Sequence, residues 1–415
     1  MGERRRPGPP TRPARPGQTR RQAAESATGG SDGVGDAASG RGSARGSATR
    51  STVDLPESTA TLESPEVAAG LTAALHANGH GSPRQRLLDI VTRFSRARVL
   101  VVGDIVTDEY IIGNPARISR EAPVLILEHR DEFTVPGGAT NPGVNARDLG
   151  AEVYLAGVVG DDPPGHRLRA ILTERGVHLD GLYTEPGRQT STKTRILAGS
   201  SQVVQQQVVR VDRVDGSAPG PDYERALIAY LLRTIPTVDA LIISDYEFSV
   251  ATPAVVATCL ALAREHGKVL IVDSHGDLAR FQGATALTPN EPEAATSLGM
   301  RITDQRSLED AGERLLRETA VRGVLITRGR EGMSLFERDC VPLHIPVSNL
   351  TQVADATGAG DTVSATFTLA LMAGATMPEA AVLSTLAAGI VVRRLGCATT
   401  TPAELSDSIV EFIRV

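Results

Sequence analysis

Arg98-Val99-Leu100-Val101-Val102-Gly103-Asp104 is an unbroken apolar run that closes on a glycine and a carboxylate. A run without polar alternation marks a strand covered on both faces. The pattern returns at Val153–Val159, Ala240–Ser244, Lys268–Asp273 and Val324–Thr327. Between these runs the sequence turns to helical stretches at Gly165–Arg175, Tyr223–Thr234, Pro253–His266 and Ser307–Thr319. Upstream, Leu87, Leu88, Val91 and Phe94 share one helix face, so order is expected from Gln85. Strands alternating with helices predict right-handed βαβ units and a mostly parallel sheet flanked by helices, a Rossmann-like α/β core. In such sheets ligands sit beyond the carboxyl ends of the strands.

Two segments break the rhythm. Val124–Glu128 and Ser191–Asp212 alternate polar and apolar residues, which predicts an antiparallel patch outside the main sheet. Such a patch, over about 110–135 and 190–212, suits a small β lid or a dimerisation surface.

Composition divides the chain. Its 415 residues carry 43 Lys+Arg and 49 Asp+Glu, a net charge of -6. Within residues 1–50, ten arginines against four acidic residues give +6, which leaves -12 for the remainder. The only aliphatic or larger apolar side chains in those fifty residues are Met1 and Val34, too little apolar surface to offset the entropy of ordering them. Residues 1–83 are therefore expected to be a disordered basic arm and linker, and 84–415 the folded body. The arm lacks the apolar core of a secretory signal. Its Arg-rich, acid-poor start imitates a transit peptide, but its Gly and Pro residues break an amphipathic helix. A dispensable extension explains it equally well.

Aromatics at 3% and no Trp argue against stacking platforms for single-stranded nucleic acid, and an acidic body argues against binding a phosphate backbone. Cys259, Cys340 and Cys397 show no CxxC spacing, so neither a disulfide framework nor a zinc site is indicated. There is no run of about eighteen apolar residues to span a membrane. The expectation is a cytoplasmic protein acting on a small molecule.

Three motifs carry chemistry. In Asp355-Ala356-Thr357-Gly358-Ala359-Gly360-Asp361-Thr362, two glycines precede a long helix of small apolar residues. Glycines there let backbone amides approach a ligand, and the first-turn N–H groups with the helix dipole favour an anion. Asp361 placed beside them would accept a proton from a hydroxyl. A plain capping aspartate after a glycine-rich turn is the competing explanation. In Pro136-Gly137-Gly138-Ala139-Thr140-Asn141 a diglycine opens a helix that continues through Asn145, Leu149 and Gly150, and Asn141 is suited to sugar hydroxyls. Paired glycines alone mostly mark turns. Third, Asp104 and Asp108 lie just past the first buried strand, where carboxylates would grip a polyol.

Together these motifs resemble the PfkB/ribokinase-type carbohydrate kinases, from about Val99 to Glu404. Within that family the chain is most similar to the heptose 7-phosphate kinase domain of bifunctional ADP-heptose synthesis enzymes. That likeness rests on GDIVTDEY, ARISREAPV, TKTRIL, SDY at Ser244–Tyr246, LTPNEPEAA, LITRGREGMSLF and LAAGIVVRRLG. No segment with an HxGH nucleotidyltransferase motif follows before Val415, so a monofunctional kinase is expected. The resemblance implies a ribokinase-like fold with a β lid, a homodimer through that lid, and ATP with Mg²⁺ as co-substrate.

It implies Asp361 as general base, with Gly358, Ala359 and Gly360 forming an anion hole for the transferring phosphoryl group. Asp104, Asp108, Gly137, Gly138, Asn141 and Asp245 would bind the sugar, and Lys193 and Arg195 its phosphate, unless those cations are solvated face residues. Asn290, Thr327, Arg328, Gly329, Gly332, Thr357, Ala388 and Gly389 would line the nucleotide together with Gly358 and Gly360. Close helix packing explains Ala388 and Gly389 equally well. Asn290 and Glu293 match an NxxE element that holds Mg²⁺ indirectly, and an ordinary first-turn acid is the alternative for Glu293.

One departure stands out. The heptose kinases carry lysines where this chain has the segments around Phe248 and at His275. Histidine is only partly protonated near neutrality. Arg117, Arg120 or Arg195 is expected to compensate, or the acceptor has changed to another sugar, sugar phosphate or nucleoside. A catalytically weak sugar- or nucleotide-binding regulator is the reading from another class.

Overall fold

The computed structural model describes residues 82–199, 206–348 and 353–413. The basic arm thus lies outside the described residues, apart from the last two positions of the linker. Helix α1 (Pro83–Thr92) starts two residues before the expected Gln85, because proline suits the first helical turn, where no N–H is needed.

Strand β1 (Arg98–Gly103) accounts for the unbroken apolar run. Val99 and Val101 belong to one apolar cluster, and Leu100 and Val102 to a second on the opposite face. Parallel to β1 on its two sides lie β4 (Glu152–Gly160) and β8 (Ala240–Asp245). Strands β5 (His178–Glu185), β9 (Val269–Ser274), β10 (Ala286–Leu287) and β11 (Gly323–Thr327) extend the parallel sheet. Antiparallel β12 (Met333–Glu337) and β13 (Leu343–Ile345) finish one edge. The order is β13-β12-β11-β10-β9-β8-β1-β4-β5.

Both faces are covered. On the first lie α1, α2 (Thr140–Asp148), α3 (Pro163–Glu174), α8 (Ala359–Met372), α9 (Met377–Val391) and α10 (Pro402–Phe412). On the other lie α4 (Pro221–Thr234), α5 (Pro253–Glu265), α6 (Glu291–Leu298) and α7 (Gln305–Thr319). Helix α8 is buried at every position from Asp361 to Ala370, which its Ala, Ser and Thr residues allow by close packing. Among the described residues no helix is long and apolar enough to cross a membrane.

A second sheet, in the order β3-β2-β6-β7, consists of β2 (Ile105–Ile118), β3 (Leu125–Gly138), β6 (Ser191–Ala198) and β7 (Gln206–Arg213). The expected antiparallel patch needs correction. Both hairpins are antiparallel, but β2 and β6 run parallel. Each follows a strand of the parallel main sheet and leaves from the same carboxyl edge, so the two set out in one direction. Strands β2 and β3 are also longer than expected, at 14 residues each. They reach back to the diglycine, where Val106 pairs with Gly137 and Ile105 with Gly138.

Candidate active site

Gly358 adopts the left-handed conformation (φ 79°) that turns the chain into α8. A Cβ there would stand 2.5 Å from Asn141 Nδ2, so both the turn and the neighbour require glycine. Asp361 follows in the first helical turn, where the leading N–H groups have no partner within the helix. Its side chain is buried, and Oδ2 accepts a 2.7 Å hydrogen bond from Asn141 Nδ2. The Tyr246 hydroxyl lies 3.4 Å from Oδ1. Burial pushes this carboxyl up to about 7, helped by the Asp108 charge and opposed by the bonds from Asn141 and Tyr246 and by His275. Asp273, at the end of β9, is driven well above the usual carboxylate range by burial, Asp361 and Glu293. A buried carboxyl titrating near neutrality is suited to accept a proton from an alcohol.

On the lid side, Asp108 of β2 is buried in an ion pair with Arg195 of β6, and Cys397 Sγ donates to it at 3.4 Å. A Cβ on Gly137 would come within 2.2 Å of Asp108 Oδ2, so one role of the diglycine is to admit this carboxylate. Lys193 lies opposite Asp108 in the β2–β6 pairing. Its Nζ sits 4.5 Å from the centre of the Tyr246 ring and 5.9 Å from that of Phe248. Burial lowers its pKa. Arg117 and Arg120 are exposed near the far end of β2, and Arg195 is neutralised by Asp108. Lys193 is therefore the cation that covers the Phe248 segment. At His275, Nδ1 lies 2.6 Å from Glu293 Oε1 and the ring 4.4 Å from that of Tyr246. The bond to Glu293 raises the histidine pKa against the effect of burial, so positive charge is favoured there.

Two carboxylates expected at the sugar are engaged within the protein. Asp104 is 1% exposed, and its oxygens accept from the amides of Tyr246, Phe248 and Val250 at 2.8–2.9 Å. Asp245, equally buried, accepts from Ser274 Oγ, Arg280 Nη1 and the Glu247 amide. Together they pin the loop after β8 and so place Tyr246 beside Asp361. The sequence placed both residues at strand ends, but only the path of the following loop decides where such a carboxylate points.

On the other side of Gly360 opens a cavity of about 580 Å³. Asn290, Thr327, Arg328, Gly329, Gly332, Ala359, Gly360, Ala388 and Gly389 all contribute to its wall, with Met333, Val347, Val353, Val363 and Val392 as apolar surface. Of the residues expected at a nucleotide, Thr357 and Gly358 are not on this wall, and the Thr357 amide donates to Asp355. Arg328 pairs with Glu291 and Glu331, so it closes the wall as a neutralised group. A Cβ on Gly389 would stand 2.0 Å from Ser348 Oγ, a close approach only glycine permits.

Asn290 and Glu293 form a capping box at the start of α6. Asn290 Oδ1 accepts from the Glu293 amide, and Glu293 Oε2 accepts from the Asn290 amide. With Oε1 against His275, both oxygens of Glu293 already have partners. Among the described residues no group of three or more His, Cys, Asp or Glu side chains is arranged to hold a metal ion. This donor set does not cage a metal. It fits an ion whose ligands are mostly phosphate oxygens and water, as is usual for Mg²⁺.

The sequence left Tyr246 of the SDY motif without an assigned task, gave no sign of the charge-bearing pairing of His275, and marked Cys397 only as an unpaired cysteine just past the last motif. It also left Asn145 and Thr362 without roles.

A doubly covered parallel sheet thus carries the start of α8 at its carboxyl edge, with the β lid on one side and the apolar cleft on the other. The description "pfkB family carbohydrate kinase" matches residues 96–404, and the chain belongs to that family. It is 41% identical over 325 residues to the "Bifunctional protein HldE" of Geobacter metallireducens, covering 77% of this chain and 65% of that protein. The protein of the same name from Caulobacter vibrioides is 41% identical over 316 residues, covering 75% and 63%. The chain thus spans just under two thirds of the length of these relatives. Among solved structures, Arabidopsis thaliana ribokinase complexed with ribose and ATP superposes with a TM-score of 0.58 at 20% identity, over 77% of this chain and 99% of that one. Escherichia coli phosphofructokinase-2 in complex with substrates and products gives 0.63 at 17% identity over the same shares, which supports the ribokinase-like fold.

Proposed function

We propose that this chain transfers the γ-phosphate of ATP to the anomeric hydroxyl of D-glycero-D-manno-heptose 7-phosphate, with Asp361 as general base. One observation carries the reading: a buried carboxyl titrating near 7 is held between a lid bearing Lys193 and a cleft suited to a nucleotide. Asp361 takes the proton of the acceptor hydroxyl, a step typically worth ~10²–10⁴-fold. The amides at Gly358, Ala359 and Gly360 oppose the charge that develops on the phosphoryl group, usually the larger contribution. Ala388, Gly389 and the valines of the cleft hold the adenine, and Lys193 meets the phosphate on the acceptor. Glu293 and Asn290 would face Mg²⁺ through water, an ion that neutralises phosphate oxygens when bound. The similarity to the HldE proteins favours the heptose.

Ile118, Val124, Leu125, Val208, Val209 and Val211 are exposed on the lid, and we assign this apolar surface to a second copy of the chain. Val209→Asp with Val211→Asp should turn a dimer into a monomer by light scattering.

The direct test is a panel of sugars and sugar phosphates with Mg-ATP. Turnover should be greatest with the heptose 7-phosphate, and Asp361→Asn should lose it by at least about a hundredfold while still binding ATP. Preference for a neutral sugar or a nucleoside would replace the acceptor. Turnover by Asp361→Asn close to wild type would remove the base.

A further inference from the structure

Asn145 and Thr362 lie behind the group that meets Asp361. Each is 0% exposed, and Asn141 is 1% exposed. Thr362 Oγ1 donates to Asn145 Oδ1 at 2.8 Å, the shorter of its two contacts with an acceptor, the other being the Gly358 carbonyl at 3.2 Å. Asn145 Nδ2 donates at 3.0 Å both to Asn141 Oδ1 and to the backbone carbonyl of Asn141. Asn141 Nδ2 in turn donates to Asp361 Oδ2 at 2.7 Å.

These links run in one direction. A backbone carbonyl only accepts, so the NH₂ of Asn145 has to face Asn141. The carbonyl of the same amide then points at α8, where the Thr362 hydroxyl supplies a donor. Asn141 Oδ1 is occupied by Asn145, which leaves the Asn141 NH₂ for the carboxylate. The spacing makes this possible: Asn141 and Asn145 are four residues apart on one face of α2, and Thr362 follows Asp361 directly in α8. Gly358 leaves the room that the Asn141 NH₂ fills.

We propose that Asn145 and Thr362 are positioning residues for phosphoryl transfer: their relay of donors compels Asn141 to present N–H, and not its carbonyl, to Asp361. The inference rests on Asp361 being the base. With the Asn141 amide turned over, a carbonyl dipole would face the carboxylate and disfavour its ionised form. Other groups also face Asp361: Asp108 from β2, Asp273 and His275 from β9 and its end, Tyr246 from the loop after β8, and Cys397 from the loop after α9. None of them bonds to the side chain of Asn145 or Thr362, so a shift at Asp361 on substituting either reports the relay.

The experiment is carboxyl-carbon NMR on the full chain labelled at aspartate, with Asp361→Asn identifying the resonance. Asn145→Leu removes the donor without adding charge, and the Asp361 midpoint should rise by about one pH unit. Thr362→Val should give a smaller rise, and Thr362→Ser should restore the wild-type value. At pH 7, kcat with Mg-ATP and the heptose 7-phosphate should fall roughly fivefold in Asn145→Leu, as a one-unit rise from about 7 takes the ionised fraction from about a half to about a tenth, while KM for ATP stays unchanged. A folded Asn145→Leu with the wild-type midpoint overturns the proposal. Should that variant fail to fold, identical midpoints in Thr362→Val and Thr362→Ser overturn it. Midpoints that shift as expected, beside an Asp361→Asn that still turns over, would uphold the relay and overturn the base.

Discussion

On the cleft side of Gly360 the walls are valines and small residues, and their arginine Arg328 is neutralised by Glu291 and Glu331. On the lid side, Lys193 and His275 lie against the Tyr246 ring and Arg195 against that of Tyr110, with the carboxyl groups of Asp108, Asp273, Asp361 and Glu293 close by. The start of α8 lies between them. The cleft relies on shape, so most of its determinants are glycines and alanines that keep side chains out of the way. The lid side holds charges whose behaviour is set by burial and by one another. Substitutions on the two sides should therefore fail differently, one through ligand affinity and the other through turnover.

The largest effect should come from Gly358→Ala, at the boundary. A methyl there is strained at φ 79° and displaces Asn141, so kcat should drop roughly a hundredfold, the usual result of misplacing a reacting group by about 1 Å. A wild-type kcat in that variant would mean that Asn141 moves aside freely. Next, Lys193→Met should raise KM for a phosphorylated acceptor by roughly tenfold, through loss of a bond to a charged group. Turnover of a neutral sugar should be unaffected. If both acceptors suffer equally, Lys193 supports the aromatic shelf and does not read phosphate.

On the cleft side, Gly389→Val should overpack against Ser348 and raise KM for ATP by up to roughly tenfold with little change in kcat. A fall in kcat alone would break the contrast between the two sides.

The smallest effect concerns stability. The folded pKa of Asp361, pushed up to about 7, lies above that of an ordinary aspartate, about 4. Its contribution to stability is thus fully present below about pH 4 and is lost as pH rises towards 7. Asp361→Asn, which stays neutral, should melt a few degrees higher than wild type at pH 8 and at nearly the same temperature at pH 4. Equal melting temperatures at pH 8 would deny that burial penalises the charge.

The same contrast explains what could be read in the sequence. Strand β1 and the glycines of the octet were legible because each follows from a local pattern, an apolar run or a helix start, whereas the cleft wall came only with the family resemblance. The lid side resisted because its contacts depend on direction. Asp104 and Asp108 are four residues apart, yet one holds a loop and the other faces Arg195, and only the course of β2 and of the loop after β8 separates them. The parallel pairing of β2 with β6 was hidden for a related reason, since strand partners 85 residues apart leave no periodic trace.

The central claim is that a buried carboxylate at the start of α8 takes the acceptor's proton. The pH dependence of phosphoryl transfer from Mg-ATP to the heptose 7-phosphate tests it most directly, measured for wild type and for Asp361→Asn. The wild-type rate should climb with pH to a midpoint of about 7 and then level off, while the variant stays slow and shows no such limb. A wild-type profile that is flat through neutrality, or the same limb persisting in Asp361→Asn, would contradict the account.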